Sequence, residues 1–564
     1  MNFNTKYQQW INHPSLDYNL KIKLEQMSNK EIEDAFYTNL EFGTAGMRGI
    51  LGPGTNRMNI YTIRKANVGF SKYLLNLENA KEKGVAIAYD NRHMSKEFAY
   101  ESAKVLATYG IKSYLFETLR PTPELSFAIS HLDCIGGIVI TASHNPKEYN
   151  GYKIYDSTGC QLIPDLINQV VDYVNEIDNE LSIEVISLKN AKSLITIIGK
   201  KIDELYYQAV MNIQLNKELN KNDFSIVFSP QHGTANIPVK ELLSRLGYTY
   251  YVVESQSNPD PDFSNTKTPN PEEAEAYEAA IDLAKEKNAD IVVVTDPDAD
   301  RVGIAIKYQN DYILMNGDQS AAVLLNYILS VHKENNTLPK NAVMFNTIVT
   351  SDIGELIAKS YGVEVEKTLT GFKFIGDKIS QYEITKEKDF IFGYEESYGC
   401  VIEKFVRDKD AIQAIIMYVE AANYYKKQGS NFYQSLLNLY EMYGSFKESQ
   451  QALSLEGLEG LKRIQEILDT LRNETPKNIG GLKVVGVEDY LTSIKIKNNQ
   501  KTKINLPKSN VLKYYLEDGS WIAVRPSGTE PKCKFYYCVK GVDTINAQNK
   551  TKTLQKDMMK IIKQ

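Results

Sequence analysis

The sequence predicts an α/β protein in which three similar α/β units are followed by a smaller α+β domain. Three observations carry that reading. At 564 residues the chain is far longer than one hydrophobic core supports, so several domains are expected. Its first part alternates short apolar, β-branched runs with amphipathic stretches, the rhythm of βαβ units on a mostly parallel sheet. Beyond about residue 480 short alternating segments dominate, the texture of an α+β domain.

Each element follows from its local pattern. Residues 64–77 carry helical spacing, Val85–Tyr89 is a strand ending at Asp90, residues 95–109 are helical again, and Gly136–Ile140 is a short buried strand. A second cycle opens at Ser225–Phe228 and closes on the strand Ile291–Val294. A third runs from Ala342–Phe345 to Phe390–Phe392. The region around 425–450 reads as polar and helical, and Leu453–Arg472 as an amphipathic helix. Strands Leu482–Val485, Ser493–Ile496, Trp521–Val524 and Lys534–Val539 follow. The expected domains are 1–205, 206–320, 321–445 and 446–564.

Composition narrows the function. A 43% hydrophobic and 24% charged chain is ordinary for a globular protein, and a formal charge of −6 argues against nucleic-acid binding, which usually needs a basic face. No run of about 18 apolar residues suits a bilayer, and the first residues, Met1 to Lys6, lack the apolar core of a signal peptide. Cys134, Cys160, Cys400, Cys533 and Cys538 are scattered, odd in number and without a Cys-x-x-Cys pair. They read as reduced thiols of a cytoplasmic protein, not as a zinc site.

Four polar loops carry chemistry. Thr141-Ala142-Ser143-His144-Asn145-Pro146 follows the strand at 136–140, and in open α/β sheets ligands bind at that carboxyl end. Ser143 is a candidate nucleophile with His144 beside it and Lys153 nearby in sequence. Asp296-Pro297-Asp298-Ala299-Asp300-Arg301 follows the second unit's strand. In extended backbone Asp296, Asp298 and Asp300 share a side, and a hard divalent cation such as Mg²⁺ relieves their crowding. Arg301 and Lys307 stand where an EF-hand needs Gly and Glu. Gly393-Tyr394-Glu395-Glu396-Ser397-Tyr398-Gly399 offers Glu395 and Ser397 to a sugar diol. Arg525-Pro526-Ser527-Gly528-Thr529 offers a guanidinium, two hydroxyls and an approachable Gly amide to a phosphate. A nucleophile, a metal site, a diol reader and a phosphate cradle are what moving phosphate between two hydroxyls of one sugar requires.

Together these loops resemble the α-D-phosphohexomutase superfamily, whose T-[AG]-S-H-N-P, D-x-D-x-D-R, G-E-x-S and R-x-S-G-T motifs occur here in that order. The sugar loop departs by one residue, Tyr394, between Gly393 and Glu395. Phe42–Gly49 and Thr370–Gly376 look most like the phosphoglucomutase/phosphopentomutase branch, and Tyr398-Gly399 stands where other branches carry Gly-His. The resemblance implies a heart-shaped, four-domain architecture with a TATA-binding-protein-like fourth domain. It implies an isomerase that interconverts glucose 1-phosphate and glucose 6-phosphate through a phosphoserine at Ser143, primed by glucose 1,6-bisphosphate.

One Mg²⁺ per chain would be held by the Ser143 phosphate with Asp296, Asp298 and Asp300. Arg48, His144 and Lys153 would lie at Ser143, with Lys153 or His144 as general acid/base. Substrate contacts would come from Arg301, Thr370, Gly371, Lys373, Glu395, Ser397, Lys409, Arg525, Ser527, Gly528 and Thr529. The partners implied are sugar phosphates, with the chain a monomer or homodimer. Rival readings are a phosphopentomutase on ribose or deoxyribose 1-phosphate, a glucose 1,6-bisphosphate synthase, a haloacid-dehalogenase-type site with Asp296 as nucleophile, and a non-enzymatic sugar-phosphate sensor.

Overall fold

A computed structural model describes residues 3–43, 46–455, 457–498, 500–527 and 532–563. The chain forms two compact units, Met1–Gly317 with Gly371–Gln428, and Asp318–Thr370 with Gly429–Gln564.

The first unit opens with three helices, Phe3–Ile11, Tyr18–Gln26 and Asn29–Phe36, packed around fully buried Trp10. The Trp10 indole donates to Glu180 Oε1 at 2.7 Å. A seven-stranded sheet follows, in the order 42–43, 46–50, 149–156, 136–140, 85–89, 113–116, 195–198. Its central strands, Val85–Tyr89 and Gly136–Ile140, are buried along their whole length and pair in parallel, as continuous apolar runs do when helices cover both faces. Tyr149–Asp156 and Gly46–Ile50 join antiparallel. The helices expected at 64–77 and 95–109 are Ile60–Leu74 and Ser95–Thr108.

A second sheet runs 311–315, 302–308, 291–295, 225–229, 249–252. Ile291–Thr295 is parallel to Ser225–Ser229 and antiparallel to Val302–Tyr308. The triple-Asp segment is therefore the connection of a β-hairpin. The strand Asp389–Glu395 turns back antiparallel onto Gly399–Val401 and leads to the long buried helix Ala411–Lys427.

In the second unit Ala342–Thr347 and Glu364–Thr368 pair in parallel, flanked by helix Asp352–Ser360. Residues 445–503 and 512–541 supply an antiparallel sheet in the order 445–454, 532–541, 521–526, 512–516, 482–489, 494–497, 500–503, and the short strand Asn478–Ile479 pairs with Leu482–Asp489. Alternation sorts its faces. Tyr514, Leu516, Ile522, Val524, Phe535 and Tyr537 pack with helices Gly457–Asn473 and Thr544–Ile561. One expectation is corrected here. Residues 445–454 are a strand, not the end of one helix and the start of another. Gly444, at φ 92°, stops helix Phe432–Tyr443, and ten consecutive residues then pair with Lys532–Gly541.

Candidate active site

The serine loop is a strained segment held by a buried guanidinium. Ser143 lies in the left-handed region at φ 51°, a conformation that costs a non-glycine residue about 1–3 kcal/mol and persists only where the surroundings enforce it. Its own amide donates to Thr141 Oγ1 at 2.8 Å. Arg92, whose side chain is wholly buried, donates to the carbonyls of Ser143, Asn145, Pro146 and Tyr149 and faces Asp90 at 3.3 Å. Arg48, on Gly46–Ile50, adds a bond from its guanidinium to Asn145 Oδ1 at 2.8 Å. Where the neighbouring strand passes underneath, a Cβ on Gly151 would meet the Thr141 carbonyl at 2.4 Å, so only glycine fits. The loop is built to present one hydroxyl. Ser143 Oγ donates to Asp296 Oδ2 at 2.5 Å and stands 3.1 Å from His144 Nδ1.

The metal loop brings its three carboxylates together, though not as the sequence reasoning supposed. Residues 296–301 form a tight hairpin turn, with Ala299 at φ 56° and its amide bonded to the Asp296 carbonyl. Side-chain alternation along extended backbone is therefore corrected. The turn converges Asp296, Asp298 and Asp300 because Asp296 Oδ1 accepts the amides of Asp300 and Arg301 at 3.1 and 3.0 Å. Its outer side is fixed by Gly233, where a Cβ would come within 2.5 Å of the Pro297 backbone, leaving no room for a side chain, and by Thr234, which donates twice to the Pro297 carbonyl. One oxygen from each of the three buried carboxylates lies within 4.8 Å of the others.

Cations surround this acidic centre. Lys153 Nζ lies 3.1 Å from Asp298 and 3.4 Å from Asp300, and Lys409 Nζ lies 3.2 Å from Asp300 and 3.1 Å from Asp408. Arg301 pairs with Glu272 and reaches Asp300 at 3.7 Å. Burial and its two neighbouring carboxylates push the Asp296 carboxyl up. Burial also acts on Asp300, but Lys409, Lys153 and Arg301 outweigh it and hold that carboxyl well below its usual range. For Lys153 burial favours loss of the proton, yet Asp298 and Asp300 prevail and raise it. At Arg48 burial wins and lowers the guanidinium.

The first unit also places the sugar loop. Glu395 ends its strand, buried, and accepts the Gly371 amide at 2.7 Å, while Ser397 sits half-buried in the turn that follows. A turn at 396–398, with Tyr398 at φ 66°, separates the two. Lys373 opens helix Lys373–Thr385, buried, its ammonium 5.8 Å from the Phe374 ring centre. Thr370 ends a stretch of the second unit, and Gly371 opens the last stretch of the first. Arg525 lies on the second unit's strand Trp521–Pro526, opposite Lys534, and the Ser527 amide donates to the Lys532 carbonyl at 2.7 Å. Gly528 and Thr529 lie outside the described residues.

Two residues at this centre escaped the sequence reasoning. Arg92 is one, and its signal was the Asp-x-Arg that follows the strand ending at Asp90. Thr122 is the other. Its hydroxyl donates to Asp298 Oδ2 and its amide to the Asp298 carbonyl, both at 2.9 Å, from the start of helix Thr122–His131. A Pro-Thr-Pro helix start gives no hint of a partner 176 residues away.

Comparison with known proteins agrees with this arrangement of loops. Phosphoglucomutase/phosphomannomutase family models match four successive stretches: α/β/α domain I at residues 39–181, domain II at 204–309, domain III at 316–440 and the C-terminal domain at 471–547. The phosphoglucomutase of Staphylococcus aureus strain MRSA252 is 40% identical over 540 residues, covering 95% of each chain. Among solved structures, a putative phosphomannomutase from Thermus thermophilus superposes with a TM-score of 0.69 at 19% identity, over 93% of this chain and all of that one. The open form of pp63/parafusin, a Paramecium phosphoglucomutase, gives 0.66 at 19% identity, over 93% and 96%. Strands, loops and relatives lead to one conclusion: the chain belongs to the phosphoglucomutase/phosphomannomutase family.

Proposed function

We propose that the chain is a phosphoglucomutase that interconverts glucose 1-phosphate and glucose 6-phosphate by way of a phosphoserine at Ser143 and a glucose 1,6-bisphosphate intermediate. The observation that carries this reading is the Ser143 hydroxyl, held in strained backbone 2.5 Å from Asp296 and 3.1 Å from His144, with Lys153 on the neighbouring carboxylate Asp298. We further propose domains dividing near residues 205, 320 and 445.

The acidic triad fits a divalent metal. Asp298 Oδ1 and Asp300 Oδ1 are buried without a hydrogen-bond partner, a costly state for ionised oxygens that a bound cation resolves. All-oxygen donors suit Mg²⁺, with Asp296, Asp298 and Asp300 holding it beside Ser143. When bound, it supplies Lewis-acid stabilisation to the transferring phosphoryl group.

The chain's own residues do the rest. Phosphoryl transfer depends mainly on positioning and charge. Arg92 and Arg48 fix the loop that aims Ser143. Lys153, beside Asp298 and Asp300, brings a positive charge toward the phosphoryl oxygens, and His144 or Lys153 serves as the general acid/base. His144 Nδ1, 3.1 Å from Ser143 Oγ, would give that oxygen a proton as the phosphoryl group leaves and take one as it returns, while the attacking sugar hydroxyl gives up its own proton to water. Lys409, Arg301, Lys373 and the Thr370-Gly371 segment contribute cations and amides toward the sugar phosphate. Glu395 and Ser397 read the ring hydroxyls. Arg525, Ser527, Gly528 and Thr529 hold the phosphate that is not reacting.

The test is turnover of glucose 1-phosphate, with Mg²⁺ and a trace of glucose 1,6-bisphosphate, beside ribose 1-phosphate. Glucose turnover that disappears without metal or bisphosphate is the expected result. A tenfold preference for ribose 1-phosphate would overturn the substrate assignment while leaving the chemistry in place.

A further inference from the structure

The second unit contains a cavity of about 590 Å³ that shares no residue with the Ser143 centre. That size falls in the range of small-molecule sites. Its floor is the sheet face opposite the helices, and its far wall is helix Asp352–Ser360 with Lys367. It is also remote from the phosphate loop. Trp521, which borders the floor through its bond to Asp352, and Arg525 are four residues apart on one strand, about 13 Å at the usual rise.

Charge marks this cavity out. Five lysines and three carboxylates line it, an excess of two positive charges in a chain whose net charge is −6. Lys367 is balanced by Asp352 and Glu355, and Lys495 by Glu488. Among the described residues, Lys497, Lys503 and Lys540 have no ion-pair partner. The excess begins in the sequence: from Tyr490 to Leu516 there are six lysines and no carboxylate. Four of these six fall on the hairpin Ile494–Lys497 and Gln500–Lys503.

A further cation stands on the same face of the sheet as Tyr515 and Glu488. Lys513 is buried, donates to the Ile348 carbonyl at 2.8 Å, and sits 3.8 Å from the Trp521 ring centre. Burial, reinforced by Lys367, pushes its ammonium down to about 8. Tyr490, Tyr515 and Phe446 supply flat apolar surface between the charges. A cavity with low-dielectric walls and an excess of one sign concentrates ions of the other.

We propose that this cavity binds a phosphorylated small molecule at a site separate from catalysis, drawn in by the unpaired charges of Lys497, Lys503 and Lys540, with its remainder against Tyr490 and Tyr515. A phosphate monoester carries about −1.5 to −2 charges at neutral pH, matching the excess. The ligand could be inorganic phosphate, a sugar phosphate or a nucleotide, since all three share the recognised group.

Trp521 makes the site measurable. The chain has two tryptophans, and Trp10 lies in the first unit. Intrinsic fluorescence of the full chain is titrated with inorganic phosphate, glucose 6-phosphate and ATP, with glucose and adenosine as uncharged controls. Wild type and Lys497→Glu/Lys503→Glu are compared; both side chains are exposed, so folding should survive. The expected result is a saturable response to the phosphorylated ligands that weakens at least tenfold in the variant, while KM for glucose 1-phosphate stays within about twofold. The tightest of the three identifies the source. An equal affinity in the variant, an equal response to glucose or adenosine, or no saturable response would overturn the proposal. Lys540→Gln repeats the comparison should the double variant melt early.

Discussion

Ser143 and Arg92 are the residues on which the account is most exposed to test. Replacing Ser143 with Ala removes the phosphoryl acceptor, so kcat should fall by roughly 10⁴-fold or more, as with other deleted nucleophiles. A variant retaining a tenth of wild-type turnover would exclude the phosphoserine. Arg92 touches no substrate in this reading; it holds four carbonyls of the loop and faces Asp90. Arg92→Met leaves Asp90 as a buried, uncompensated carboxylate, and the expected loss is about 3–5 kcal/mol, read from the shift in urea midpoint. A shift under about 1 kcal/mol would show that the loop holds itself. Such pairings were hidden in the sequence because nothing local to Arg92 reveals which distant carbonyls it will bind.

At the level of elements, what was legible depended on whether the signal was local. The buried strand Gly136–Ile140 and the strand Ile291–Thr295 announce themselves as apolar β-branched runs, and the loops after them fall where expected. The convergence of Asp296, Asp298 and Asp300 was anticipated for the wrong reason, since a turn with Ala299 at φ 56° replaces extended backbone. Strand Ser445–Ser454 was missed because five of its ten residues are Ser or Gln and its partner lies about 90 residues on, so pairing overrides propensity. The helix Ala411–Lys427 supports a pH prediction. Its N-cap, Asp410, accepts the amides of Ile412 and Gln413 and the Tyr206 hydroxyl, while burial pushes its carboxyl up to about 6. The folded chain thus holds this proton more tightly than the unfolded chain. The stability so contributed is complete below about pH 4 and disappears as pH rises through about 6, a change of roughly 3 kcal/mol. Denaturant unfolding of wild type and Asp410→Asn at pH 4 and pH 7.5 should differ in pH slope by about that amount; parallel slopes would contradict it.

Over the whole molecule, the sequence revealed the order of α/β and α+β segments better than their grouping. Length and texture expose the succession of segments, but the first compact unit recruits Gly371–Gln428 from late in the chain, and only tertiary contacts determine that. Metal binding is the global prediction. Three buried carboxylates repel one another without a cation, so Mg²⁺ added to metal-free protein should raise the thermal midpoint, by about 2.7 kcal/mol of stability at a hundredfold excess over Kd. Asp298→Asn should lose most of that increment. An equal increment in the variant would place the metal elsewhere.

In the proposed reaction the phosphoryl group passes through Ser143. Incubating the protein with glucose 1,6-bisphosphate labelled in its phosphates, followed by peptide mapping, tests this most directly. Acid-stable label on the peptide containing Ser143, and none on Ser143→Ala, is the expected result. Hydroxylamine-labile label on Asp296, or none on either protein, would contradict it.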